Sequence, residues 1–189
     1  MKSVLISIQP KWVAKITSGE KTIEVRKTRP NIPTPFKCYI YATKSGDRIV
    51  LKNDRVFEIS KALTGKVVGE FVCDKVYKIT PEFGKFEVET QYVVGWKFEQ
   101  DDCCLTWNEL HSYLSGKKGY GLHISDLKIY DKPKELSEFY RDCPQYYSSY
   151  EEGICAEMCV WYDMGICKNF SLPITRPPQS WCYVESLGE

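Results

Sequence analysis

The chain has 189 residues, of which 43% are hydrophobic and 14% aromatic, values typical of a globular protein with one well-buried core. The sequence has neither an apolar run long enough to span a bilayer nor a signal-peptide pattern, so we expect a soluble, cytoplasmic protein without a membrane partner. A net charge of +1 argues against a nucleic-acid binder that is basic over its whole surface.

The charges are distributed unevenly along the chain. Residues 1–80 carry 16 Lys or Arg against 7 Asp or Glu, whereas residues 81–189 carry 10 against 18. The basic half could form a surface that attracts phosphate. Alternatively, it could pack against the acidic half and be neutralised within the molecule.

The N-terminal segment predicts a strand and then a short helix. Residues 4–8 form an apolar run, and Pro10 suits the first turn of a helix, where its missing N–H needs no partner. Trp12 and Ile16 continue at helical spacing, and Ser18-Gly19 indicates the end of the helix.

Residues 19–26, with the sequence GEKTIEVR, alternate charged and small apolar side chains and predict a strand. In a regular strand Glu24 and Arg26 share one face and Lys21 lies on the other. A bend beside Gly19 would bring Lys21 round to join them. The alternative is an exposed strand whose charges pair with a neighbouring strand.

The next segments predict further strands around an irregular loop. Three prolines within residues 29–35 exclude regular structure there and make this loop a candidate rim of a binding site. Residues 36–42 predict a strand, residues 54–63 a short helix and residues 66–79 a long strand or a bent pair of strands.

A second helix is predicted by the capping box that begins at Thr106 and ends at Glu109, and Leu105 can pack onto Leu110. Residues 119–124 then predict a strand whose two glycines allow a neighbour to approach closely. His123 lies on this strand and could face a binding site. A structural histidine held by a hydrogen bond is the alternative.

Residues 136–189 differ from the rest of the chain, because they are rich in Tyr, Trp and Cys and little periodicity is visible. We expect an irregular appendage that packs on the preceding domain, residues 1–135. Its few aliphatic side chains cannot offset the ordering entropy of an independent domain.

Five of the nine cysteines lie in this appendage, and their number is compatible with one structural zinc ion held by thiolates. Free thiols are the main alternative, followed by an iron–sulfur cluster or disulfides, the latter disfavoured in a reducing compartment. The candidate ligands are Cys143, Cys155, Cys159, Cys167 and Cys182.

Three segments resemble the ASCH domain family, small β-barrels related to the PUA fold of RNA-modifying proteins. The pattern Gly-x-Lys-x-x-Glu-x-Arg in residues 19–26 resembles the family's signature, residues 67–71 its central strand and residues 120–127 its closing strand. The resemblance covers residues 1–135. It implies an α+β fold, a small mixed PUA-like β-barrel flanked by short helices, to which the Cys- and aromatic-rich appendage is attached.

The resemblance also implies a site. Some ASCH-related proteins hydrolyse the amide of N-acylated cytidine with a lysine, a hydroxyl residue and a glutamate, positions that correspond to Lys21, Glu24 and Glu70. Glu24 departs from that pattern, because a carboxylate replaces the hydroxyl and would hold the lysine in its charged form.

The same residues could recognise a ligand without turnover. Lys21 and Arg26 can hold a phosphate, and Glu24 or Glu70 can accept a hydrogen bond from the exocyclic amine of a base. We therefore expect RNA or a modified nucleoside to bind at a Lys/Glu/Arg-lined mouth. An amidohydrolase, a metal-independent ribonuclease and a protein-interaction module are the alternatives. The candidate catalytic residues are Lys21, Glu24 and Glu70, and the candidate ligand-binding residues are Arg26, Trp12, Tyr41 and His123.

Overall fold

The computed structural model describes residues 2–44, 49–52, 56–59, 63–82, 85–89, 100–143, 164–167 and 171–187. Within these ranges the helices are α1 (Pro10–Thr17), α2 (Gln100–Cys103) and α3 (Trp107–Leu114). The strands are β1 (Lys2–Ile8), β2 (Ile23–Arg26), β3 (Phe36–Ala42), β4 (Ile49–Lys52), β5 (Val56–Ile59), β6 (Val67–Cys73), β7 (Val76–Glu82), β8 (Lys85–Glu89), β9 (Gly119–His123), β10 (Ser125–Lys134), β11 (Tyr140–Asp142), β12 (Ser171–Pro173) and β13 (Trp181–Glu185).

Two larger sheets organise the described part of the chain. The main sheet has the strand order β10-β6-β3-β1-β13, and the second has the order β2-β9-β7-β8. Within the main sheet β1 runs parallel to β3 and antiparallel to β13. The predicted α+β class is confirmed, although the strands within the described ranges form separate sheets and not one closed ring.

The neighbouring strands β1 and β3 of the main sheet are buried on both faces, which explains the unbroken apolar run Val4-Leu5-Ile6 in β1. Because side chains alternate along a strand, Val4, Ile6 and Ile8 pack with α1 on one face, in a core that also includes Leu122 of β9. Leu5 lies on the opposite face in a second core. The first core therefore connects α1 with both larger sheets.

The second core is built by the C-terminal segment. Phe139 and Ile174 pack against Leu5 and Tyr39, and the rings of Tyr39 and Phe139 meet edge to face at 4.9 Å between centroids. β13 hydrogen-bonds to β1, with Cys182 opposite Leu5. The described residues of the predicted appendage therefore supply the edge strand β13 of the main sheet and pack in its second core.

Several sequence-based expectations for the elements are confirmed. The first helix begins at Pro10 and ends at Thr17, and the predicted capping box of α3 forms between Thr106 and Glu109. The long strand of residues 66–79 is a bent pair, β6 and β7. No helix in the described ranges is long and apolar enough to cross a membrane.

The helix predicted over residues 54–63 is wrong. Residues 56–59 form β5, which pairs antiparallel with β4 in a register that places Ile49 opposite Ile59. Val56, Phe57 and Ile59 are residue types that favour strands once a pairing partner is present, so the tertiary partner decides the structure here.

Candidate functional site

Lys21, Glu24 and Arg26 lie together in a buried charged cluster. Lys21 Nζ is 3.4 Å from Glu24 Oε2, and Arg26 Nη2 is 2.9 Å from Glu24 Oε1. The three residues are only 3%, 5% and 7% exposed, respectively. One carboxylate therefore sits between two cations, and the alternative of an exposed strand with solvated charges does not describe this segment.

The bend that brings Lys21 into the cluster starts at the end of α1. Gly19 has a φ of +76°, a left-handed conformation that glycine adopts without strain. β2 begins only at Ile23, so Lys21 precedes the regular strand. The alternation of side chains between the two faces of a strand therefore does not determine the direction of the Lys21 side chain. Lys21 Nζ donates to the carbonyl oxygens of Ile23 and Cys103, both at 2.8 Å.

Arg26 ties the cluster to the main sheet. Its Nη2 donates to the carbonyl oxygen of Ser7 at 2.6 Å, next to the end of β1. β2 itself is held by β9, with Glu24 opposite Leu122 in the antiparallel register. The two ends of the Arg26 side chain are thus fixed by different sheets, which gives the guanidinium a defined position.

Two buried polar atoms of the cluster lack a hydrogen-bond partner within the described ranges. They are Glu24 Oε2, whose contact with Lys21 is an ion pair at 3.4 Å, and Arg26 Nε. A buried polar atom without a hydrogen bond costs about 1–3 kcal/mol. Such atoms are rare in folded proteins and call for an explanation.

The charged cluster lines a cavity of about 910 Å³. α3 borders it, because Leu110 and Leu114 of this helix pack against Ile23 and Val25 of β2. Trp12 of α1 also lines the cavity, with the ammonium groups of Lys11 and Lys21 at 4.5 Å and 5.4 Å from its ring centroid. A cavity of this volume can hold a nucleoside-sized ligand.

Lys11, Lys27 and Tyr113 line the cavity as well, and the sequence analysis did not select them. Lys27 Nζ lies 5.5 Å from the centre of the Tyr113 ring. Burial raises the pKa of the Tyr113 hydroxyl, and the positive charge of Arg26 opposes that rise. Lys11 and Lys27 are sequence neighbours of Trp12 and Arg26, but the position of Tyr113 follows only from the packing of α3.

Glu70 does not line this cavity. It lies on β6, where Tyr130 donates a hydrogen bond to its Oε2 at 2.5 Å and Lys37 Nζ contacts its Oε1 at 3.1 Å. Burial raises the Glu70 pKa, but the hydrogen bonds from Tyr130 and Lys37 and the positive charges of Lys37 and Lys128 lower it, and the net shift is downward. The structure therefore brings Lys21, Glu24 and Arg26 together without Glu70.

Tyr41 and His123 also lie away from the cavity lining. Tyr41 is buried in the second core, and this burial raises the pKa of its hydroxyl. His123 Nδ1 is 2.5 Å from Asp74 Oδ1, in agreement with the alternative of a hydrogen-bonded structural histidine. Of the predicted ligand-binding residues, Arg26 and Trp12 reach the cavity.

The predicted zinc ligands are described only in part. Cys143 is buried, Cys167 and Cys182 are half-buried, and Cys155 and Cys159 lie outside the described residues. No group of three or more metal-ligating side chains occurs within the described ranges. A zinc ion held by these cysteines stays a prediction.

Comparisons with known proteins support the fold. No protein-family model and no curated protein matches the sequence. A crystal structure of ASCH from Zymomonas mobilis aligns with 97% of this chain and 87% of its own, with a TM-score of 0.52 and 17% identity. A tyrosine-to-phenylalanine mutant of that protein aligns with 98% of this chain and 91% of its own, with a TM-score of 0.51 and 17% identity. The chain therefore has an ASCH-like fold.

Proposed function

We propose that the cavity beside Lys21, Glu24 and Arg26 binds a nucleobase, carried either by single-stranded RNA or by a modified nucleoside. The observation that carries the proposal is the presence of the Trp12 ring in a cavity lined by cationic side chains. Bases of any sequence stack on aromatic rings, and lysine and arginine side chains hold the phosphates that connect them.

The charge of the cavity supports an anionic ligand. Among its lining residues, Lys11, Lys21, Arg26 and Lys27 are cationic, against the two carboxylates of Glu24 and Glu109. The Glu109 carboxylate accepts a hydrogen bond from the backbone N–H of Thr106 at 2.8 Å in the capping box of α3. Glu24 is already paired with both Lys21 and Arg26, so Lys11 and Lys27 supply the charge that attracts phosphate.

The arrangement of Lys21 supports binding more than hydrolysis. Its Nζ contacts three oxygen atoms, from Ile23, Cys103 and Glu24. A lysine that acts as a general base must offer a lone pair, and here that lone pair would face the Glu24 carboxylate. Glu70, the proposed partner in hydrolysis, does not line the cavity.

Calorimetric titration with a short single-stranded RNA and with free nucleosides tests the proposal. Trp12→Ala removes the stacking ring, and a loss of about 1–3 kcal/mol in binding free energy is expected. Lys11→Ala and Lys27→Ala should weaken RNA binding and reduce its salt dependence, because each removes one phosphate contact. Free nucleosides carry no phosphate, so their affinity should change little with these two variants.

Lys132→Ala is the matched control, since Lys132 is an exposed lysine that does not line the cavity. Its RNA affinity should equal that of the unaltered protein at about 150 mM salt. The proposal fails if neither RNA nor any nucleoside binds. It also fails if Trp12→Ala and Lys132→Ala bind equally well.

A further inference from the structure

The cavity is lined by a second aromatic ring besides that of Trp12. Trp12 belongs to α1, whereas the second ring is that of Tyr113 on α3, so the two rings come from different helices. Trp12 is half-buried and Tyr113 is 38% exposed, so both residues present surface to a ligand in the cavity. A single stacked base uses only one of these rings.

Each ring lies beside its own lysine. Lys11 Nζ is 4.5 Å from the centroid of the Trp12 ring, and Lys27 Nζ is 5.5 Å from that of Tyr113. Both lysines are exposed and line the cavity. A cation–π contact at an exposed site is weaker than the stacking of a base, so a base can take the place of the ammonium group at the ring. The ammonium group then contacts a neighbouring phosphate.

The two rings adjoin different members of the buried charged cluster. The Trp12 ring centroid is 5.4 Å from Lys21 Nζ. Burial raises the pKa of the Tyr113 hydroxyl and the charge of Arg26 lowers it, which places Tyr113 near that guanidinium. The cavity volume of about 910 Å³ is close to the upper end of the range for small-ligand pockets, about 300–1,000 Å³. Such a volume leaves room for a second nucleotide.

From these contacts we infer that the cavity binds two successive nucleotides of single-stranded RNA, with one base stacked on Trp12 and its neighbour stacked on Tyr113. This inference rests on the proposed function and narrows its ligand from a single base to a dinucleotide step. Lys11 and Lys27 contact phosphates next to the two bases. A free nucleoside leaves one ring uncovered and therefore binds more weakly than the dinucleotide.

Two ligands of equal charge test the inference with the intact protein. The dinucleotide ApA carries two adenine bases, and its matched analogue has one base replaced by a hydrogen atom while the phosphodiester and both sugars are kept. By calorimetry, ApA should bind at least about fivefold more tightly than the analogue, the gain expected for one further stacked base. Because the two ligands have the same charge, phosphate contacts cannot account for the difference.

Tyr113→Ala and Tyr113→Phe provide the matched protein variants. With Tyr113→Ala, ApA and its analogue should bind within about twofold of each other, because the second ring is missing. Tyr113→Phe keeps the ring and should keep the preference for ApA. His111→Ala is the control on the same helix, since His111 is exposed and does not line the cavity. Its preference for ApA should equal that of the unaltered protein.

The comparison of the two ligands on the unaltered protein does not depend on whether any variant folds. If ApA and its analogue bind equally well, or if Tyr113→Ala keeps the preference for ApA, the inference is overturned while the proposed function stands. If neither RNA nor any nucleoside binds, the proposed function fails and the inference fails with it.

Discussion

The Arg26 guanidinium and the Glu24 carboxylate form a buried ion pair, with Nη2 2.9 Å from Oε1. Lys21 contacts the second oxygen of the same carboxylate at 3.4 Å. All three residues are less than 10% exposed. Without Glu24, water could therefore not solvate the two cations well enough to replace the carboxylate. Glu24 is therefore a structural requirement of the cluster, whatever ligand the cavity binds.

Replacing Glu24 by alanine should destabilise the fold by about 3–5 kcal/mol, since it leaves two buried cations without their carboxylate. Asp142→Asn is the matched control, because the Lys2–Asp142 pair has a similar contact distance of 2.9 Å but side chains that are 60% and 65% exposed. Asp142→Asn should lower the free energy of unfolding by less than about 1 kcal/mol. Urea unfolding at pH 7 measures both variants, and equal losses would contradict the burial argument.

The sequence predicts the part of the buried cluster that depends on local structure, but not the part that depends on packing between distant elements. Gly19 indicated a bend that could bring Lys21 to Glu24 and Arg26, because glycine tolerates a positive φ and the pattern is local. The positions of Glu70 and Tyr113 depend on how β6 and α3 pack against other elements. Such long-range packing leaves no periodic signal in the sequence.

Gly19→Ala should destabilise the protein by about 1–2 kcal/mol, the cost of a Cβ atom in the left-handed conformation. Apart from its two chain neighbours, no atom of the described residues lies within 4 Å of the position that this Cβ would occupy, so the cost is conformational and not steric. Gly19→Asn should lose less, because asparagine tolerates this conformation better. Thermal unfolding of the two variants measures the difference, and a larger loss for asparagine would refute the explanation.

Glu70 should stabilise the fold in a pH-dependent manner. Tyr130 and Lys37 lower its pKa in the folded state despite the opposing effect of burial. A carboxyl group with a lowered folded pKa stabilises above its ordinary value of about 4.3, and the contribution is lost as pH falls through the folded value. Glu70→Gln should therefore cost stability at pH 7, and its difference from the unaltered protein should shrink toward pH 3.

Urea unfolding at several pH values measures this difference, with Glu135→Gln as the control, because the Glu135 side chain is 58% exposed in its pair with Lys66. If the difference in unfolding free energy between Glu70→Gln and the unaltered protein is constant with pH, the lowered pKa of Glu70 is contradicted. Because Glu70 does not line the cavity, this variant should also bind nucleosides with unchanged affinity. A large loss of affinity would return Glu70 to the site that the sequence analysis proposed.

The C-terminal segment should unfold together with the main sheet, because Ile174 is only 4% exposed and packs in the core that contains Leu5 and Tyr39. Ile174→Ala should cost about 2–5 kcal/mol, the usual range for a buried aliphatic truncation. Met164→Ala is the control, since Met164 is 66% exposed. An Ile174→Ala loss of stability no greater than that of Met164→Ala would rule out docking through this core.

Elemental analysis then tests the separate prediction that Cys143, Cys155, Cys159, Cys167 and Cys182 hold zinc. If docking alone secures this segment, a chelator leaves the unfolding midpoint unchanged. If zinc contributes, the chelator lowers the unfolding midpoint.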